Sequence, residues 1–153
     1  MFAATGDGTL LPLYVIYKAK HLYDLWSEGG PAGARFNRSK SGWMDGSCFL
    51  DWFESIMIPY FRCFGGRKAI IVDNLSSNLS PAVIDLCKKH DIECVFLPSN
   101  STHLTQALDV AIFRPLKQAW RQVLENWKSR TNKCSGIDKK YFPRLLKETL
   151  DML

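Results

Sequence analysis

The sequence predicts an α/β fold, a mixed sheet flanked by helices, and three observations carry that expectation. Short apolar, partly β-branched runs at Leu10–Tyr17, Ala69–Val72 and Ile92–Leu97 read as strands. A helical pattern opened by Ser80 and Pro81 separates the last two, so residues 69–97 form a β-α-β unit. Its strands should be parallel, with a right-handed crossover. Apolar stripes of helical period lie on either side of that unit, at 49–57 and 113–127.

In chain order, Met1–Ala4 reads as a strand end and Gly6-Asp7-Gly8 as a turn, making a β-hairpin over residues 1–18 with the run LLPLYVIY. Glu28–Gly42 is rich in Gly, Ser and basic residues and reads as a long loop holding one short strand. Asp45 is placed to cap a helix whose inner face is Phe49, Trp52, Phe53, Ile56 and Met57. Pro59 should disturb that helix. After the β-α-β core, residues 99–105 read as a polar loop closed in by Pro98. A long helix follows from about Ala107 to Arg130, with Phe113, Leu116, Trp120, Val123, Leu124 and Trp127 inward. A last helix covers Asp138–Leu153. There are no internal repeats, and 153 residues fit one domain, 1–153.

Composition bounds the function. A hydrophobic fraction of 46% supplies a real core. No apolar run reaches the ~18 residues that cross a bilayer, and the first residues lack the basic and apolar regions of a signal peptide. The five cysteines contain no C-x-x-C pair and read as reduced thiols of a cytosolic or nuclear protein. The three histidines are scattered, which argues against zinc. Net charge is +5 but uneven: residues 1–60 carry five Lys/Arg against six Asp/Glu, and residues 61–153 carry fifteen against nine. The second half is where a polyanion would be drawn, although a solvated basic surface has the same composition.

Two acids stand out by position. Asp73 ends a buried strand, and Asp109 opens the long helix that follows the next strand. Ligands bind at the carboxyl ends of parallel strands, so the two should lie near each other. Converging carboxylates call for a divalent cation, and Mg²⁺ takes oxygen ligands. Each also has a plainer reading: Asp73 as a turn starter before Asn74 and Ser76, Asp109 as an acid suited to a helix amino end. On the same long helix, Arg114, Lys117, Arg121 and Lys128 follow one stripe at i, i+3, i+7 and i+14. Such a stripe suits a phosphate backbone, and equally a solvated face.

Longer motifs carry a resemblance. IIVDN at 70–74, VFLP at 95–98 and NSTHLTQALDV at 100–110 resemble the catalytic core of pogo/Tigger-type transposases. This branch of the DDE superfamily also holds jerky-like and centromere-binding-protein-B-like proteins. DGTLLPLYVIYKAK at 7–20 and SGWMD at 41–45 look like the same family, so the resemblance covers nearly the whole chain. It implies an RNase H-like fold, DNA as partner and a nuclear location, with no membrane and no small-molecule cofactor. It implies Asp73 as the second catalytic acid and Asp109 as the third, 35 residues lying between them. It implies two Mg²⁺ (or Mn²⁺) ions roughly 3.5–4 Å apart, serving hydrolysis and strand transfer at phosphorus.

The sequence departs from that pattern in three places. Asn78 stands where the family often has His, and Asn carries no proton near neutral pH. Ala107 stands where Pro is favoured. The family's first acid lies on a strand before the hairpin, and this sequence begins in what matches the second strand. Asp7, Asp24, Asp45 and Asp51 are not substitutes. The expectation is therefore an RNase H-like sheet lacking its first, central strand, inactive alone and with open strand edges that favour self-association. A domesticated protein that binds DNA or protein without cutting, and an unrelated α/β interaction module, are the alternatives.

Overall fold

The computed structural model describes residues 1–72, 80–96, 112–131 and 136–153. Asp73, Asn78, Ala107, Asp109 and Cys134 lie outside the described residues. The fold is α/β, with four short strands among the described residues and helices packed around them.

The chain opens in a hairpin. The Leu11 amide donates to the Ala3 carbonyl at 2.9 Å, Thr5 to Thr9 at 2.9 Å, and Ala4 bridges Leu10 in antiparallel sense. The Thr5 hydroxyl and the Thr9 amide both hold the Asp7 carboxylate inside the turn. Strand β1 (Tyr14–Lys18) then pairs in parallel with β2 (Arg35–Ser39), Tyr14 opposite Arg35 and Lys18 opposite Ser39. The short strand expected within 28–42 is thus a full sheet partner. Ser39, buried beside the turn that leaves β2, donates to the Trp43 carbonyl and accepts from the Gly42 amide. Gly42 has φ +83, and a Cβ there would meet Lys18 Cβ at 3.0 Å, so the turn requires glycine.

The helical segment behind Asp45 comprises α1 (Gly46–Trp52), a π turn (Phe53–Met57) and α2 (Ile58–Phe61). Asp45 caps it, its carboxylate accepting from the Cys48 amide at 2.9 Å. Pro59 disturbs the helix, as expected, without ending it. The wide turn ahead of it, in which the Ile58 amide reaches back to Phe53, makes room for a ring that would strike the preceding turn. All five residues of the expected inner face are buried: Phe49, Trp52, Phe53, Ile56 and Met57.

Alternation along β1 separates two layers. Tyr14 and Ile16 face α1, whereas Tyr17 points the other way, stacking with Phe36 of β2 and meeting Phe142 edge-on. Phe142 begins α5 (Phe142–Leu150), which packs beside α4 (Arg114–Thr131) through Trp120–Phe142 and Trp127–Tyr141 ring contacts. The last helix is shorter than expected at both ends.

A second sheet pairs β3 (Lys68–Val72) with β4 (Ile92–Phe96) in parallel, joined through α3 (Pro81–Lys89) as the β-α-β reading requires. Ile70, Ile92, Val83 and Cys87 join the core built on α1 and α2. The outward face of this sheet exposes Ile71 and Val95, which sit opposite each other. Among the described residues no strand pairing connects the two sheets.

One polar network ties the first layer together, and nothing in the sequence pointed to it. The buried Tyr14 hydroxyl donates to Asp51 of α1 at 2.6 Å, Asn37 donates to both, and Arg35 forks onto the two Asp51 oxygens. Arg35, then the Tyr14 and Asn37 hydrogen bonds, outweigh burial and lower the Asp51 pKa. A carboxyl whose folded pKa is depressed stabilises the fold above its unfolded pKa of ~3.9 and loses that contribution as pH falls through the folded value. We expect Asp51→Ala to cost about 2 kcal/mol in urea denaturation, since it strands the Tyr14 hydroxyl and Arg35. It should also flatten the acid side of the stability-against-pH curve. An unchanged urea midpoint would show that the network is dispensable.

Candidate metal and nucleic-acid site

Packing first sets where the strand ends lie. In β3 and β4, Lys68 pairs with Ile92 and Val72 with Phe96, so both strands end side by side. Asp73 follows Val72 in sequence, and residues 97–111, which contain Asp109, follow Phe96. The two candidate acids therefore belong to segments that continue from the same end of a parallel pair. Their own positions lie outside the described residues.

The helix behind that end is well made. Ser80 is extended and its hydroxyl accepts from the Val83 amide, Pro81 takes the first turn where its missing N–H costs nothing, and Lys88 and Lys89 sit at the carboxyl end. Asp91 then takes φ +53, a left-handed conformation that Asp tolerates, and the chain turns directly into β4. At this opposite end of the strands, partial burial and then the charges of Arg62, Lys89 and Lys68 lower the His90 pKa. That basic cluster was not singled out from sequence, because its members come from three separate elements.

The four predicted DNA-contacting residues are all on α4 and all exposed: Arg114, Lys117, Arg121 and Lys128. At 3.6 residues per turn they fall within about 60° of arc. Ala119 and Val123, on another face of the same helix, are buried. Among the described residues none of the four forms an ion pair. Ring contacts hold the helix in place: Trp120 and Trp127 against α5, and Phe113, just ahead of α4, edge-on to Phe2 at 5.2 Å. The stripe is thus fastened to the hairpin and to the first sheet.

Asp51, the acid the fold uses most heavily, is no metal ligand in waiting, since its oxygens already serve Tyr14, Asn37 and Arg35. Among the described residues no group of three or more His, Cys, Asp or Glu is arranged to hold a metal ion. Nor is any helix there long and apolar enough to cross a membrane.

Comparison with known proteins decides the family. The family model described as DDE superfamily endonuclease matches residues 1–145. The chain belongs to the DDE superfamily of endonucleases. It is 25% identical over 132 residues to the human "Pogo transposable element with KRAB domain", covering 83% of this chain and 20% of that protein. The mouse protein of the same name matches at 25% identity over the same share of this chain, 21% of its own length. It is also 30% identical over 121 residues to the "MFS-type transporter clz9" of Cochliobolus lunatus, covering 77% of this chain and 13% of that protein. The chain thus spans between about an eighth and a fifth of the lengths of these relatives, and the transporter is a protein that it matches only in small part. No solved structure matches. The pogo-type resemblance carried by the motifs is borne out by the family and by these relatives.

The Ser80 cap sets the start of the helix between the two strands. Ser80→Ala should cost about 1 kcal/mol and Ser80→Asp close to none. Amide hydrogen exchange should accelerate at Val83 first. Equal exchange at Val83 in Ser80→Ala and the parent would show that the hydroxyl does not cap α3.

Proposed function

We propose that this chain is the core of a transposase-derived DDE endonuclease that binds DNA through α4 and holds divalent metal through Asp73 and Asp109. One observation carries the reading: the family match spans both acids, and both belong to segments continuing from the paired ends of parallel β3 and β4. Ligands collect at such ends. The RNase H-like arrangement is supported by the β-α-β unit and by the hairpin that precedes it.

The donor set suits the metal. Two carboxylates offer hard oxygen ligands, matching Mg²⁺ or Mn²⁺ better than a thiophilic ion. When bound, a pair of such ions supplies an activated hydroxyl nucleophile and charge neutralisation at the leaving oxygen of an in-line displacement. The chain's own part is positional. Holding one metal pair would require Asp73 and Asp109 to approach within roughly 8 Å. The side-chain amide at Asn78, five residues after Asp73, is of a type that can donate or accept a hydrogen bond but carries no proton between groups. Arg114, Lys117, Arg121 and Lys128 bind backbone phosphates and set the duplex in register without reading its bases. With DNA as substrate, the protein works in the nucleus. The exposed Ile71–Val95 face supports self-association.

The first test is binding. Affinity for duplex DNA should be weak and sequence-tolerant and should fall steeply with salt. Charge reversal at Lys117 and Arg121 should weaken binding to every sequence alike and reduce the salt slope by about one per lost phosphate contact. Affinity that does not change across a salt titration would overturn the assignment of the stripe.

The second test is chemistry. The 153-residue chain as it stands should not nick supercoiled plasmid with Mg²⁺ or Mn²⁺, because two carboxylates leave a metal pair short of charge and ligands. Nicking abolished by both Asp73→Ala and Asp109→Ala would reveal a third acid and refute the predicted inactivity.

A further inference from the structure

Beside the strand pair, and unused by the proposed DNA site, two thiols touch. Cys87 near the carboxyl end of α3 and Cys94 in the middle of β4 place their sulfurs 3.4 Å apart. Seven positions separate them, across the tight turn at Asp91. Both remain free thiols, as do Cys48 and Cys63. Both line a groove of about 440 Å³ whose other walls include Arg67, Lys88, Glu93 and Phe96. Cys94 is partly exposed, and Cys87 lies buried behind it.

A soluble oxidant small enough to enter that groove meets Cys94 first. A neighbouring thiol already in contact is then the nearest group to react with the product. The gap from 3.4 Å to a bonded distance of about 2.05 Å is a small side-chain movement. No folding rearrangement is needed to bring α3 and β4 together, because packing has already done so.

We propose that Cys87 and Cys94 form an oxidant-responsive dithiol site that closes to an intramolecular disulfide when hydrogen peroxide reaches the groove. The Cys94 sulfur, having lost its proton, attacks one peroxide oxygen. The O–O bond breaks, hydroxide leaves and takes up a proton to become water, and Cys94 is left as a sulfenic acid. The Cys87 sulfur attacks the Cys94 sulfur, the S–O bond breaks, and hydroxide departs as water with the Cys87 proton. Two thiols lose two electrons and two protons, and one peroxide becomes two waters. A dithiol reductant reverses the bond by exchange. Burial and the adjacent Cys94 push the Cys87 thiol up to about 12. Cys87 is therefore protonated at neutral pH, which leaves the more exposed Cys94 to meet the oxidant first, and Cys87 gives up its proton as it attacks the sulfenic sulfur. The bond ties α3 to β4.

Peptide mapping after peroxide treatment and alkylation tests this on the whole chain. We expect the Cys87–Cys94 linked peptide to exceed every other pairing, including those with Cys48, Cys63 and Cys134. Its share should drop severalfold when oxidation is done in urea, where only sequence proximity remains. In Cys87→Ser, Cys94 should stall as a sulfenic acid that dimedone traps. Retention of both thiols while exposed Cys63 oxidises would overturn the proposal. So would an equal share of the linked peptide in folded and unfolded chain, which the parent protein alone decides even where a variant fails to fold.

Discussion

The apolar face of the helical segment from Gly46 to Phe61 packs against two separate strand pairs, and each of those pairs depends on it for burial. Tyr14 and Leu11 reach it from the first layer, Ile70 and Ile92 from the second, and Val83 and Cys87 from α3. Short paired strands are marginal in water on their own. Among the described residues no backbone pairing links the two sheets, so their relative position is carried by side-chain packing on this helix. Packing of that kind is close-fitting and resists small displacements. The π turn at Phe53–Met57 belongs to the same constraint, since it keeps Phe53, Ile56 and Met57 facing inward while Pro59 is accommodated.

How far the fold was legible follows from which interactions are local. The Asp45 and Ser80 caps, the helical face of 49–57 and the parallel β-α-β unit depend on residues a few positions apart, and periodicity reports them. The strand at Arg35–Ser39 was visible as a strand but not as the parallel partner of Tyr14–Lys18, because register across a long connection leaves no local mark. The same holds for Asp51. An isolated acid within an apolar helix, 16 positions from Arg35 and 37 from Tyr14, carries no pairing signal until the chain is folded. Pro59 was legible as a disturbance by the local rule, and the form it takes, a widened turn just ahead of the ring, was not.

The candidate site was legible in a different way. Asp73 and Asp109 were marked by longer motifs, IIVDN and NSTHLTQALDV, as much as by their places at strand and helix ends. The scaffold bears out one half of that reasoning, the parallel strands ending in register, while the acids themselves lie outside the described residues. The basic stripe needed only helical spacing to be read, and its four members are exposed. The two thiols at 87 and 94 gave no pattern at all, since a helix end and a mid-strand position meet only through the packing of α3 on β4.

These constraints divide the molecule in a way that composition alone only hinted at. Residues 1–60 carry a small net negative charge, and one part of it is bound up in the Tyr14–Asp51–Arg35 network. The excess of fifteen basic residues over nine acidic ones lies beyond position 60, and part of it stands on α4 with no partner among the described residues. That helix is anchored to the first sheet through Phe142 and Tyr17, whereas the strand that leads to Asp73 belongs to the second. On the proposed reading, a polyanion held by the stripe and reaching Asp73 would span two sheets that, among the described residues, are aligned by packing on one helix. Loss of packing at Phe53 or Trp52 would then misplace substrate relative to the carboxylates without touching either, and an error of one ångström at a reacting centre is costly. On that reading the core would serve the chemistry through position alone.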